Sequence, residues 1–243
     1  MKQIQITLTP AESKRIIAMG VKKLPVIQQA LKKGIILITL GSTNAYVAEE
    51  LTGKKINHAR YGAGYIDGTT TVVPIEKRLP MIALRDGKEV SDDIIIKEMG
   101  AGDVVIKGAN ALDPFGIAGV MMANPQGGTT GSFIGAIMAR GINFVIPVGL
   151  EKFIPYSVVE ASKRIGIQRC SKATGLPVGV MPLFGTVITE VSALTLLGAE
   201  DVFPIGAGGI NGGEGSVTLC VIGEKADEIF ELVQKVKEKK GEL

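Results

Sequence analysis

The sequence predicts an α/β fold: a parallel, Rossmann-like sheet covered by helices on both faces, followed by a small C-terminal α+β subdomain. Three observations carry this expectation. Continuous apolar runs such as Ile35–Leu40 and Phe144–Val148 lack the polar alternation of a half-wet strand, so they belong in a sheet buried on both sides. Segments with helical spacing separate those runs, which is the order of a parallel sheet. The loops after the runs gather glycines and hydroxyls, and in such sheets ligands bind beyond the carboxyl ends of the strands.

The elements follow in order. Residues 1–10 alternate apolar and polar side chains like a short strand. Thr9, Pro10 and Glu12 form a helix start, with a capping hydroxyl, a proline in the first turn and a carboxylate three residues after the cap. Ile16, Ile17 and Val21 give that helix a buried stripe. Pro25 opens a second helix, which Lys32, Lys33 and Gly34 close. Ile35–Leu40 is a strand, Gly41-Ser42-Thr43 turns sharply, and Asn44–Leu51 is helical up to Gly53. The stretch around His58-Ala59-Arg60-Tyr61 is irregular and Thr69–Val73 is a strand. Met81–Leu84 and Lys88–Val90 flank Asp86-Gly87, a hairpin signal. A Ser-Asp-Asp cap opens a short helix over Ser91–Met99. The alternation then resumes with a strand at Asp103–Lys107, a glycine-led helix at Gly127–Ala139, a strand at Ile142–Val148 and a helix at Ser157–Ile165.

A composition shift around Ser171–Pro182, rich in glycine and proline, places the expected boundary between an α/β ligand-binding domain over residues 1–170 and the subdomain over 171–243. The latter holds a helix at Thr186–Leu197, a strand at Asp201–Ile205, the loop Gly206–Gly215, a strand at Ser216–Ile222 and a helix from Glu224. In that last helix Ala226, Ile229, Phe230, Val233 and Val236 make one apolar stripe. Its basic run, Lys235 to Lys240, is a solvated end that complements the helix dipole.

Composition narrows the function. With 243 residues, there is room for one large domain or a domain plus an appendage. The net charge of +3 is small and evenly spread, and aromatics make up 5% with no Trp, so neither a phosphate track nor a base-stacking platform for nucleic acid is expected. Two cysteines and one histidine exclude a disulfide framework and leave no zinc set, so no metal is expected. Any catalysis pairing serine or cysteine with histidine would rest on His58 alone. The start lacks the apolar core of a signal peptide and the apolar runs are too short to cross a bilayer, so a cytoplasmic protein with no membrane partner is expected. Cys170 and Cys220 then read as unpaired thiols. A homo-oligomer is expected.

Four constellations are candidates for chemistry. Gly41-Ser42-Thr43-Asn44 joins the strongest strand to a helix start, where backbone amides, hydroxyls and the helix dipole favour an anion; the alternative is a merely capped turn. Lys107-Gly108-Ala109-Asn110 and Asp113 leave the end of one buried strand. Lys107 there can neutralise phosphate or an enolate and Asp113 can move protons, or Asn110 and Asp113-Pro114 simply shape turns. Gly127-Gly128-Thr129-Thr130 opens the next helix and is a second anion or ribose contact, or a close helix–sheet packing. Gly206–Gly215 lacks the spacing of a dinucleotide loop and leads into a strand, so no nicotinamide cofactor, nor any other, is expected. It reads as a surface loop, or as a lid carrying Glu214.

These residues resemble a superfamily. Gly34–Leu51, a strand, then Gly-Ser-Thr, then a helix, is similar to the phosphate loop of ribose-5-phosphate isomerases. Asp103–Gly116 resembles the strand and turn that carry acidic catalytic residues there, and the Gly-Ala-Asp turn of methylthioribose-1-phosphate isomerases and translation initiation factor 2B subunits. The glycine-threonine helix and the strand ending in Pro147-Val148-Gly149 keep the same order. The resemblance spans roughly residues 1–165 and is to the group of sugar-phosphate isomerases, glucosamine-6-phosphate deaminases and coenzyme A transferases. The departures are specific. Asp-Gly-Ala-Asp becomes Lys107-Gly108-Ala109-Asn110, a Lys-Gly-Gly-Gly-Gly segment is absent, and the methylthioribose enzymes' catalytic cysteine has no counterpart.

The resemblance implies a protein that binds, and isomerises, a small phosphorylated sugar or related anion. Asp113 would be the base, Lys107 would stabilise the enediolate, and Gly41–Asn44 would hold the phosphate. The alternatives are a coenzyme A transferase or hydrolase using Glu151 or Glu214 as nucleophile, and a non-catalytic ligand sensor.

Overall fold

A computed structural model describes residues 1–91 and 95–238. The described residues form fourteen strands and eight helices. In chain order they are β1 (Lys2–Leu8), α1 (Pro10–Lys23), α2 (Pro25–Lys32), β2 (Ile35–Ile38), α3 (Ser42–Thr52), β3 (Gly64–Asp67), β4 (Thr69–Val72), β5 (Ile82–Arg85), β6 (Lys88–Val90) and α4 (Ile95–Glu98). There follow β7 (Val104–Ile106), β8 (Ala111–Leu112), β9 (Ala118–Met122), α5 (Gly128–Arg140), β10 (Asn143–Pro147), α6 (Val158–Arg164), β11 (Gly179–Leu183), β12 (Thr186–Ile188), α7 (Glu190–Leu196), β13 (Asp201–Gly208), β14 (Ser216–Gly223) and α8 (Ala226–Glu238). The expected cap at Asp92-Asp93 and the last two lysines of the basic run, Lys239 and Lys240, lie outside the described residues.

The chain is a mixed α/β protein built on a six-stranded, mostly parallel sheet in the order β12-β10-β7-β2-β5-β6. The three apolar runs of the sequence are its centre, and all are parallel: Ile38 pairs with Ile106, Ile106 with Val145, and Val145 with Thr186. Their carboxyl ends therefore meet along one edge. On the far side β5 runs antiparallel to β2 and turns back through Asp86 and Gly87, both at positive φ, into β6. An Asp-Gly pair makes that tight turn because glycine, and to a lesser degree aspartate, tolerates the left-handed region.

Alternation along the buried strands divides the interior. Ile36, Ile38, Val104, Ile106 and Val145 pack with Ile16 and Val21 of α1, Ile27 of α2, Val47 of α3 and Leu194 of α7. Leu37, Val105, Phe144 and Ile146 pack instead with Ile95, Ile137, Leu112, Val120 and Leu183. The capping box of α1 is formed: the Thr9 and Glu12 side chains each meet the other's amide. No helix among the described residues is long and apolar enough to cross a membrane.

Strand pairings cross the position of the boundary expected near residue 170. β12 extends the main sheet beside β10, and β1 at the start pairs along its whole length with β14, which β13 joins on the other side. The glycine- and proline-rich stretch before Pro182 leads into β11, which pairs antiparallel with β9. Such residues suit a short sheet's edge as well as a linker. The expected helix from Thr186 begins only at Glu190, since Thr186–Ile188 is strand. In α8 the stripe is buried as expected except for Phe230, which is 37% exposed.

Candidate functional site

Beyond the carboxyl ends of β2 and β7 lies a cavity of about 620 Å³. Three of the sequence constellations converge on it: Gly41, Ser42 and Thr43; Lys107 and Asn110; and Gly127, Gly128, Thr129 and Thr130 all line its wall. The parallel register brings the first two together. The β8–β9 hairpin then carries the chain back to α5, whose start is the third. The β3–β4 hairpin, with Arg78 beyond it, forms part of the opposite wall.

Both helices that open onto the cavity lack a side-chain cap. The N-cap of α3 is Gly41 and that of α5 is Gly127, and neither can offer an oxygen to the first-turn amides. By contrast the side chains of Thr9 and Ser157 cap α1 and α6. The first amides of a helix need an acceptor, and an anion is the acceptor that the dipole favours. Thr43, 1% exposed, adds a buried hydroxyl with no hydrogen-bond partner among the described residues, on the cavity wall.

Asn44 has another task. Its Nδ2 donates to the carbonyls of Thr39 at 2.8 Å and Ile106 at 3.2 Å, clamping the ends of β2 and β7, and it is not on the wall. The Tyr61 hydroxyl works similarly on the other flank, donating to Ile38 O at 2.7 Å and accepting from Ile82 N. Asn110 faces the cavity, while its Oδ1 accepts from Met121 N at 3.0 Å.

Lys107 follows Ile106 directly and is 9% exposed. Among the described residues its ammonium has neither an ion pair nor a hydrogen bond. Burial, with the neighbouring Lys152 charge added, lowers its pKa to about 8. Lys152 lines the same cavity from the turn at Leu150–Lys152, after β10. Its pKa is also lowered to about 8 by burial, against a partial offset from Glu151. The sequence reading did not single out Lys152; the available signal was a cation just past the Pro147-Val148-Gly149 strand end. Of the described residues on the wall the one carboxylate is Glu76, which is exposed, so the cavity is electropositive in a nearly neutral protein.

Asp113 is not brought to the cavity. It is 2% exposed, its Oδ1 accepts from Phe115 N and Ile117 N, each at 2.9 Å, and its Oδ2 accepts from Val158 N at 3.0 Å. A carboxylate so occupied holds the turn and the start of α6, and it is no free base. Nor do the two acids considered as nucleophiles, Glu151 and Glu214, line the cavity. Glu151 pairs with Lys14 at 3.6 Å, and Glu214 accepts from Gly212 N in the hairpin tip between β13 and β14. His58 lies elsewhere, with Nε2 3.0 Å from Glu49 and its ring against Tyr46. Cys220 is buried and Cys170 exposed, and neither lines the cavity.

No protein-family model matches the chain, and no curated protein was found to match it.

Proposed function

We propose that this protein binds a small phosphorylated sugar or a related organic anion in the cavity at the strand ends. The observation that carries this reading is the convergence on one cavity of Lys107 and Lys152, neither in an ion pair among the described residues, with the uncapped starts of α3 and α5. The phosphate sits on the first turn of α3, within reach of the Ser42 and Thr43 hydroxyls. The start of α5 takes a second polar group, and Lys107 neutralises charge between them. The volume falls in the ordinary range for small-molecule sites, roughly 300–1,000 Å³.

The same reading makes the sheet Rossmann-like with helices on both faces, and the protein a cytoplasmic homo-oligomer and a branch of the sugar-phosphate isomerase and coenzyme A transferase superfamily. Isomerisation through Asp113 is disfavoured because that carboxylate is spent on three amides. Coenzyme A transfer is disfavoured because Glu151 and Glu214 lie off the cavity wall. Binding alone, as in a sensor, is the second reading, and the lack of a buried acid on the described wall favours it.

The test is a thermal-shift panel of inorganic phosphate, aldose and ketose phosphates, and acyl-coenzyme A esters. A ligand at a hundred times its Kd stabilises by about 2.7 kcal/mol. Thr43→Val removes only a hydroxyl that has no partner, so the free protein should melt no lower than wild type. The shift given by phosphorylated ligands should shrink. An unchanged shift in Thr43→Val and in a Ser42→Ala/Thr43→Val double variant would move the anion away from α3.

A further inference from the structure

Lys107 poses a question that anion binding does not exhaust. Burying an ammonium without a carboxylate is costly, and proteins avoid it unless the amine itself is used. Here the amine stands at the end of a rigid buried strand, on the wall of a cavity, with a second lysine facing the same space. Gly108 follows it, so no side chain crowds it from the next position. A desolvated lysine beside another cation is the arrangement that turns an ammonium into a nucleophilic amine.

We propose that Lys107 condenses with the carbonyl group of the phosphorylated ligand to form an imine, an inference that rests on the anion-binding reading of the same cavity. The Nζ lone pair attacks the carbonyl carbon, and the carbonyl π pair moves to oxygen, which takes up a proton. The carbinolamine then expels that oxygen as water while nitrogen gives up its protons, leaving a carbon–nitrogen double bond. Amine and carbonyl go in, imine and water come out, and no oxidant, reductant or metal is consumed. The protonated imine draws electrons from the neighbouring carbon, so it activates a sugar-type carbonyl without a buried acid. This answers the difficulty that Asp113 leaves.

The amine is poised for this. With its pKa at about 8, Lys107 is neutral near pH 7.5 roughly two hundred times more often than an ordinary lysine. Lys152 supplies part of that effect by charge repulsion. Occupation of the α3 start by phosphate would hold the carbonyl end of a short ligand among the remaining wall residues, Lys107 included.

Reductive trapping tests it. The full chain is incubated with glyceraldehyde 3-phosphate, or with glyceraldehyde, in the presence of cyanoborohydride, and each lysine's labelling rate is read by peptide mass spectrometry. The expected result is one fast site, Lys107, gaining the mass of the aldehyde less one oxygen, at least tenfold faster than any other lysine. The phosphorylated aldehyde should react faster than the plain one, and inorganic phosphate should compete. The rate should rise with pH to a midpoint near 8. Lys107→Arg keeps the charge and should lose the fast site, with circular dichroism as the folding control. Lys152→Met should keep labelling at Lys107 but move its midpoint upward.

Labelling spread evenly over the lysines, or concentrated on Lys152, would overturn the proposal, and the wild-type protein alone suffices to see it. If phosphate stabilises the protein but Lys107 is not trapped, the imine is wrong and the binding reading stands. If both aldehydes trap Lys107 equally and phosphate has no effect, the imine stands and the anion site is wrong.

Discussion

The ammonium of Lys237 lies 2.7 Å from the Glu12 carboxylate, so α1 is tied to α8 through a side chain that is almost wholly buried. Burial pushes the Glu12 carboxyl up, but Lys237 and the Thr9 amide together outweigh it and hold the pKa below the ordinary value. The folded pKa is thus lower than the unfolded one. The pair's stabilisation is complete above the ordinary carboxylate range and is lost as pH falls through the depressed folded value. Glu12→Gln should cost about 1–2 kcal/mol at neutral pH in urea unfolding. The gap to wild type should close as the medium is acidified.

Lys107→Met should stabilise the ligand-free protein. Because the folded pKa of Lys107, about 8, lies below the unfolded value of 10.5, its charged form opposes folding at neutral pH. That cost is relieved as pH rises from about 8 to 10.5, where the unfolded chain also loses its proton. The variant should gain about 2–3 kcal/mol at pH 7 and much less above pH 10, in urea titrations without phosphate.

Asp113→Ala should behave as a folding defect. Three backbone amides, those of Phe115, Ile117 and Val158, lose their acceptor. A loss of about 2–4 kcal/mol is expected. The folded fraction should bind phosphorylated ligands as wild type does, since the carboxylate lies off the cavity wall. Calorimetric titration of the folded variant checks the second point.

Gly20→Ala and Gly135→Ala should move stability in opposite directions. Both glycines lie inside helices, where alanine is favoured by about 1 kcal/mol on propensity alone. A Cβ on Gly20, however, would lie 2.6 Å from the Cα and Cβ of Ala193, because α1 and α7 cross there backbone to backbone. That clash should reverse the gain and cost about 1–3 kcal/mol. Around Gly135 there is open space, so the propensity gain should appear undiminished.

What could be read in the sequence was whatever its near neighbours decide. Ile35–Leu40, Asp103–Lys107 and Ile142–Val148 are legible as buried strands because no polar residue interrupts their cores. The Asp86-Gly87 turn and the Thr9–Glu12 box are legible because each is complete within four residues. Thr186–Ile188 was hidden by the helical spacing of Glu190–Leu196 beside it, and only pairing with β10 makes it strand. Gly179 and Pro182 of β11 belong to the stretch that reads as a boundary, and antiparallel pairing with β9 makes them strand instead. At the site, the two helix starts and Lys107 were visible as local patterns. Asp113 was ambiguous, because the decisive hydrogen bond comes from Val158, 45 residues later. Lys152 had only a weak local signal, a cation just past a strand end, because what gives it meaning is its place beside Lys107 at the end of a neighbouring strand.

The pairing of β1 with β14 bears on how the molecule is made. Thr7 and Thr218 meet through their hydroxyls at 2.9 Å although 211 residues separate them. On the ribosome Ile6 and Leu8 emerge long before the strand that covers them, and they stay without a sheet while the central strands are synthesised. Closing so long a loop costs more entropy than closing a hairpin, and such non-local pairing goes with slower folding. A chain interrupted before Ser216 would keep the edge of β1 and the apolar face beneath it open to other chains, the condition under which partly made proteins aggregate.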